Sequence, residues 1–259
     1  MCRLVGIIAS EPTEFGLVLT DAPRCLAALS REHPDGWGIA VHHDADWLLH
    51  KGTERADADS RFHEIAAKSR GTVLVSHIRQ KTVGPTRLEN THPFVRGGWV
   101  FAHNGTIGEI DRVRAGASKE RLAEIAGDTD SEVLFAHLLS AIDAGGLDGL
   151  EAAARALREA GVGAINFLLS DGTTTFAHRF GRSLYVLERG PSDPLREERS
   201  VARGAAITTR WTTRRSAVFI ASERMTDEPW QEIPDGTLLR IDRGPSTPSV
   251  RPVPAHVAA

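Results

Sequence analysis

Stretches with strand character occupy both ends of this chain, its longest helical periodicity lies in the middle, and that order limits the folds open to it. Residues 2–9 (CRLVGIIA) are a short apolar, β-rich run that reads as a buried strand. Gly36–Val41 and Trp47–Lys51 flank the polar stretch His42–Asp46 as the arms of a hairpin, and Thr72–Ser76 and Gly98–Ala102 read as further strands. Helices are expected over 20–31, ending before the Pro34-Asp35-Gly36 turn, and over Asp57–Ser69. Thr129 and Glu132 have the spacing of a capping box, and Leu134, Leu138 and Ile142 give the helix they open an apolar face. A second, Ala-rich helix spans Gly149–Ala160.

Strands return at Ala164–Leu169, Thr174–Arg179, Ser183–Leu187, Ala217–Ala221 and Thr237–Ile241. Strands, then central helices, then strands predict an α+β layered fold and not a repeated βαβ unit. No stretch divides the chain convincingly, so residues 1–259 are expected to form one domain. Gly190–Arg199 reads as a surface loop, and the Pro-rich segment 243–259 as an irregular tail.

Composition narrows the function classes. The formal charge of −3 provides no basic footprint for nucleic acid or an anionic membrane. No run approaches the roughly 18 apolar residues of a membrane span, and acidic residues arrive too early for a signal peptide. Two cysteines, Cys2 and Cys25, are too few for a disulfide framework. The expectation is a protein of the reducing cytoplasm, with no nucleic-acid or membrane partner, no metal and no cofactor.

Four local features carry chemistry. A free cysteine is usually a small buried hydrophobe, but Cys2 follows the initiator Met1. Removal of Met1 would set an α-amine, titrating near pH 8, beside the thiol, so that nucleophile and base share one residue. Gly71–Arg79 is a strand leading to Arg79, whose planar fork suits a carboxylate, although a strand-end Arg equally serves a surface ion pair. Asn104 and Gly105 follow the strand Gly98–Ala102, where two N–H donors can converge on one oxyanion. Asn-Gly is also a common turn. The acidic run Asp128–Glu132 favours a helix N-terminus, or can receive an ammonium. Together these groups can hold an amino acid by both charged ends while attacking an amide beyond them.

The motifs MCRLVGI (1–7), PDGWGIA (34–40), SHIR (76–79), THPF (91–94), HNGTIGE (103–109) and DTDSE (128–132) occur in an order that resembles the class II glutamine amidotransferase family. IASE (220–223) and IPDGTLLRID (233–242) resemble the closing strands of its free-standing members, of the YafJ type and the ergothioneine-pathway γ-glutamyl amidohydrolase type. The resemblance implies the N-terminal nucleophile hydrolase fold, a four-layer αββα sandwich of two stacked, mainly antiparallel sheets. It implies Cys2 as nucleophile, Arg79 on the substrate α-carboxylate, Asn104 and Gly105 as oxyanion hole, and Asp130 on the α-ammonium. Asp35, His77 and His92 occupy motif positions and are assigned support roles.

The reaction implied is hydrolysis of the side-chain amide of glutamine, or of a γ-glutamyl small molecule, through a γ-glutamyl thioester. A glutaminase subunit delivering ammonia to a separate synthase, and a non-catalytic γ-glutamyl-binding module, are the alternatives. Gln80 and Val83 stand where many synthase-linked members carry an aromatic and a histidine, which leaves substrate identity open.

Overall fold

Strand β1 (Arg3–Glu14) is buried on both faces over Leu4–Ala9, which is why that part reads as a continuous apolar run and not as an alternation. The computed structural model describes residues 2–190, 196–200, 205–209, 216–244 and 247–253. Beyond β1 the chain forms α1 (Leu26–Leu29), β2 (Trp37–His43), β3 (Asp46–Gly52), α2 (Ser60–Lys68) and β4 (Arg70–Ile78). Then come β5 (Phe94–Arg96), β6 (Trp99–Ile107), α3 (Ile110–Ala115), α4 (Lys119–Ala123) and α5 (Asp130–Glu159). The remaining strands are β7 (Gly163–Ser170), β8 (Thr174–His178), β9 (Tyr185–Arg189), β10 (Arg196–Ser200), β11 (Ala205–Thr209), β12 (Ala217–Ala221), β13 (Gln231–Glu232), β14 (Leu238–Asp242) and β15 (Ser249–Pro252).

Seven strands make one antiparallel sheet in the order β13-β9-β12-β1-β4-β2-β3, and six make a second in the order β15-β14-β8-β7-β6-β5. β10 and β11 pair only with each other. Three cores separate the layers. Val5, Ile7 and Ala9 of β1 pack with Leu26 of α1 and Phe62 of α2. Leu4 and Ile8, on the opposite face of β1, pack with Val100, Ala102 and Leu168 of the second sheet. Phe101, Phe167 and Leu169, on that sheet's far face, pack with Leu134, Leu138 and Leu150 of α5. The result is the expected αββα sandwich.

Several expectations are corrected. The helix expected over 20–31 breaks into a π-helical turn at Leu17–Asp21 and the short α1. Pro23 supplies no N–H and disfavours helical geometry at Ala22, and Cys25 caps α1 by accepting from the Ala28 N–H at 3.5 Å. The two expected central helices are both present: α5 is two helical segments that meet at a kink, where Gly146 leaves helical geometry (φ 61°, ψ −147°). By length and composition α5 is apolar enough to cross a bilayer, although no such run was expected; its apolar residues instead line the outer core. Part of the tail expected to be irregular pairs with β14 as β15. Of the loop expected over Gly190–Arg199, residues 196–199 lie in β10 and residues 191–195 lie outside the described residues.

The capping box is half formed. Thr129 Oγ1 accepts from the Glu132 N–H at 3.4 Å, but the Glu132 carboxylate does not return to Thr129. It accepts from the N–H groups of Ala126 (3.1 Å) and Gly127 (2.8 Å) and pairs with Arg96. Glu132 is fully buried, so removing it strands a largely buried guanidinium and two backbone donors. Glu132→Ala is expected to destabilise the fold by about 3–5 kcal/mol in denaturant melts, and Arg96→Met in that background to recover part of the loss. An additive double variant would show that the pair does not act as a unit.

Candidate active site

The two-residue period of a strand decides which side chains meet. Leu4 and Ile8 on β1, Val73 and Val75 on β4, and Val100 and Ala102 on β6 all enter the core between the sheets. Continuing the same parity directs Cys2, His77, Arg79 and Asn104 to that side as well. β1 and β4 are in register with Leu4 opposite His77, and both strands approach β6 of the other sheet. The sequence-predicted residues from three strands thus converge at one end of the sandwich.

Cys2 is half-buried, with its thiol held by the backbone of Gln80. The Gln80 N–H donates to Sγ at 3.3 Å, and Sγ lies 3.3 Å from the Gln80 carbonyl. Burial pushes the thiol above its ordinary range, opposed by the Gln80 hydrogen bond and the nearby charge of Arg79. The start of β1 is pinned from the far end of the chain. Arg3 donates to the Cys2 carbonyl at 3.1 Å and pairs with Glu223, and Ser222 Oγ accepts from the Leu4 N–H at 2.8 Å. Sequence reasoning missed this anchor, whose only signal was the IASE segment.

Arg79 is 3% exposed, and its guanidinium is engaged. It donates to the carbonyls of Val83 (2.8 Å), Gly84 (3.2 Å) and Pro85 (3.0 Å). Asp35 fastens the start of the same loop, accepting from the Lys81 N–H at 2.8 Å. Asn90 fastens its end: Nδ2 donates to the Pro85 carbonyl at 3.0 Å, while Oδ1 accepts from the Asp128 N–H at 2.8 Å. Arg87 also pairs with Asp128. Asn90 was not singled out from the sequence, where one Asn in a polar stretch carries no signal.

Asn104 is 5% exposed, and its side-chain amide has no hydrogen-bond partner among the described residues. A Cβ at Gly105 would lie 1.9 Å from the Ala164 carbonyl oxygen and 2.5 Å from His103 Nε2, so only glycine fits this close approach. His103 faces α5 instead of the space between the sheets. Its Nε2 lies 3.1 Å from the Ala164 carbonyl, which can only accept, so Nε2 carries the proton and Nδ1 accepts from Ser131 at 2.9 Å. Asp130 opens α5 and accepts from the Ile107 N–H at 2.8 Å, tying the helix start to the end of β6.

His77 and His92 lie behind the site, with ring centroids 4.5 Å apart. None of their four ring nitrogens makes a hydrogen bond of good geometry, although the His77 ring lies close to the His103 backbone. Burial lowers the His77 pKa to about 3, and burial together with the charge of His77 holds His92 well below its ordinary value. Both rings are therefore neutral near pH 7 and fill space behind the strand ends. Gly38 admits them: a Cβ there would lie 2.1 Å from the His92 carbonyl oxygen. Among the described residues no group of three or more His, Cys, Asp or Glu side chains is arranged to hold a metal.

A sequence model of "Glutamine amidotransferases class-II" matches residues 1–256, and the chain belongs to that family of amidohydrolases. It is 28% identical to YafJ of Escherichia coli K12 over 260 residues, covering 91% of this chain and 95% of YafJ. It is also 28% identical over 255 residues to the gamma-glutamyl-hercynylcysteine sulfoxide hydrolase of Mycobacterium tuberculosis, covering 93% of both chains. The crystal structure of a predicted glutamine amidotransferase from Pseudomonas aeruginosa superposes with a TM-score of 0.64 at 25% identity, over 92% of this chain and 96% of that one.

The neutral histidines give the fold an acid dependence. Their folded pKa values lie below the roughly 6.5 of an unfolded histidine, so their contribution is fully present above about pH 6.5 and is lost as pH falls below it, for His77 down to about 3. The thermal midpoint is expected to drop across that window, and His77→Leu to make the drop shallower. An identical slope in the variant would show that the ring does not remain neutral in the fold.

Proposed function

We propose that residues 1–259 act as one catalytic unit, a cysteine amidohydrolase that cleaves the side-chain amide of glutamine or of a γ-glutamyl small molecule. The observation that carries this reading is a thiol, a buried guanidinium and an unpartnered amide directed to one side of the sandwich. Similarity to a γ-glutamyl hydrolase along nearly the whole of both chains supports it.

In this reading Met1 is removed and the freed α-amine of Cys2 takes the thiol proton. The burial that raises the thiol makes such a local base necessary near neutral pH. Arg79 receives the substrate α-carboxylate in exchange for carbonyls of the 83–85 loop, and Asp130 receives the α-ammonium. Sγ attacks the δ-carbonyl carbon, and the oxyanion is held by Asn104 Nδ2 and the Gly105 N–H. The protonated amine of Cys2 donates to the departing nitrogen as the C–N bond breaks. Water then attacks the γ-glutamyl thioester, releasing glutamate and restoring the thiol. Asp35 acts through the 80–87 loop, and His77 and His92 act by packing.

Glutamate release from glutamine and a panel of γ-glutamyl amides tests the reading, with Cys2→Ala as the blank. Asn104→Ala is expected to lower kcat about 10²–10³-fold with little change in KM; wild-type turnover in that variant would remove the assigned oxyanion hole. No release from any substrate would overturn the hydrolase reading. Protein retaining Met1, sorted by intact-mass measurement, is expected to be inactive, and full activity in that form would eliminate the α-amine as base.

A further inference from the structure

On the helix side of the second sheet, away from Cys2, the second half of α5 and strands β8, β14 and β15 enclose a cavity of about 470 Å³. Its wall includes Glu151, Arg155 and Arg158 from α5, His178 from β8, Thr237 ahead of β14, and Val253 just past β15.

The tautomer of His178 is set by its surroundings. The residue is 1% exposed, and its Nδ1 lies 2.8 Å from the Ile165 carbonyl. A carbonyl can only accept, so Nδ1 carries the proton and Nε2 presents a bare lone pair. Nε2 has no hydrogen-bond partner among the described residues, although the ring lines the cavity. Nε2 opens onto the cavity, where it can accept from a bound donor.

Arg158 is already committed, donating to the Gly236 carbonyl at 2.6 Å. Arg155, one turn earlier on the same helix, has no hydrogen bond or ion pair among the described residues, and neither does Glu151. The cavity therefore offers three kinds of group: a free guanidinium on Arg155, free carboxylates on Asp148 and Glu151, and the neutral acceptor of His178. An inorganic anion would satisfy only the first of these, and an amine only the other two. A molecule carrying both charges satisfies all three.

We propose that this cavity is a second binding site, for a small zwitterion of the α-amino acid type, with its carboxylate on Arg155 and its ammonium between Glu151 and His178 Nε2. Burial holds the His178 pKa down at about 4, which keeps Nε2 an acceptor at neutral pH. The site does not depend on the hydrolase reading: none of these residues belongs to the proposed catalytic set.

The test is a titration of the full chain followed by NMR, reading the Thr237 amide and the Arg155 Nε–H resonance. The probe is L-norvaline, which has no side-chain amide to cleave, with pentanoate and butylamine as its two halves. Saturable shifts at both resonances are expected with L-norvaline, and binding at least about tenfold weaker with either half. Arg155→Ala and His178→Asn should each weaken L-norvaline about tenfold or more; the Asn amide retains a donor for Ile165 while removing Nε2. Three results would overturn the proposal: no saturable shift at millimolar L-norvaline, pentanoate binding as well as L-norvaline, or unchanged affinity in both variants.

Discussion

The two-sided burial of β1 is the constraint on which the molecule depends. One face closes on α1 and α2 and the other on the second sheet, so the strand cannot slide by one residue without exchanging its faces. Cys2 stands at the end of that strand, and its orientation follows from those of Leu4 and Ile8. Arg3, Glu223 and Ser222 add a clamp at the start of that strand.

The 80–87 loop is the second organising element, and it works through backbone. Cys2 is held by the Gln80 peptide, Asp35 by the Lys81 N–H, and Arg79 and Asn90 by carbonyls between Val83 and Pro85. Residues from distant parts of the sequence therefore share one short segment. Arg79 in particular is buried and satisfied by carbonyls alone, so under the proposed function a substrate carboxylate would have to displace them.

This explains what was legible beforehand. Side chains with distinctive chemistry, such as Cys2, Arg79, Asn104 and Asp130, stood in motifs that could be read along the chain, and the layered order followed from hydrophobic patterning. Asn90, Glu223 and Ser222 could not be read, because each acts through a partner that only folding supplies. Local rules also misled where tertiary contacts outweighed them. Glu132 had the spacing of a capping residue, but Arg96 and two loop N–H groups engage it more fully than one backbone donor would. Pro23 likewise interrupts the expected 20–31 helix, because it lacks an N–H and disfavours helical geometry at Ala22. The tail became a strand because β14 presents an unpaired edge to residues 249–252.

The pairing of β9 with β12 has a consequence for how such chains can diverge. Arg189 and Ala217 are direct partners across that pair, so the ends of the intervening stretch are held at a fixed separation by the sheet. Among its described residues, those of the β10–β11 ribbon pair with each other and with neither layer. Lengthening or shortening it changes mainly a loop-closure entropy, which grows only as the logarithm of length, by about 0.6 kcal/mol per doubling. A change of length between Arg189 and Ala217 therefore costs little, while the β9–β12 register stays fixed by the sheet.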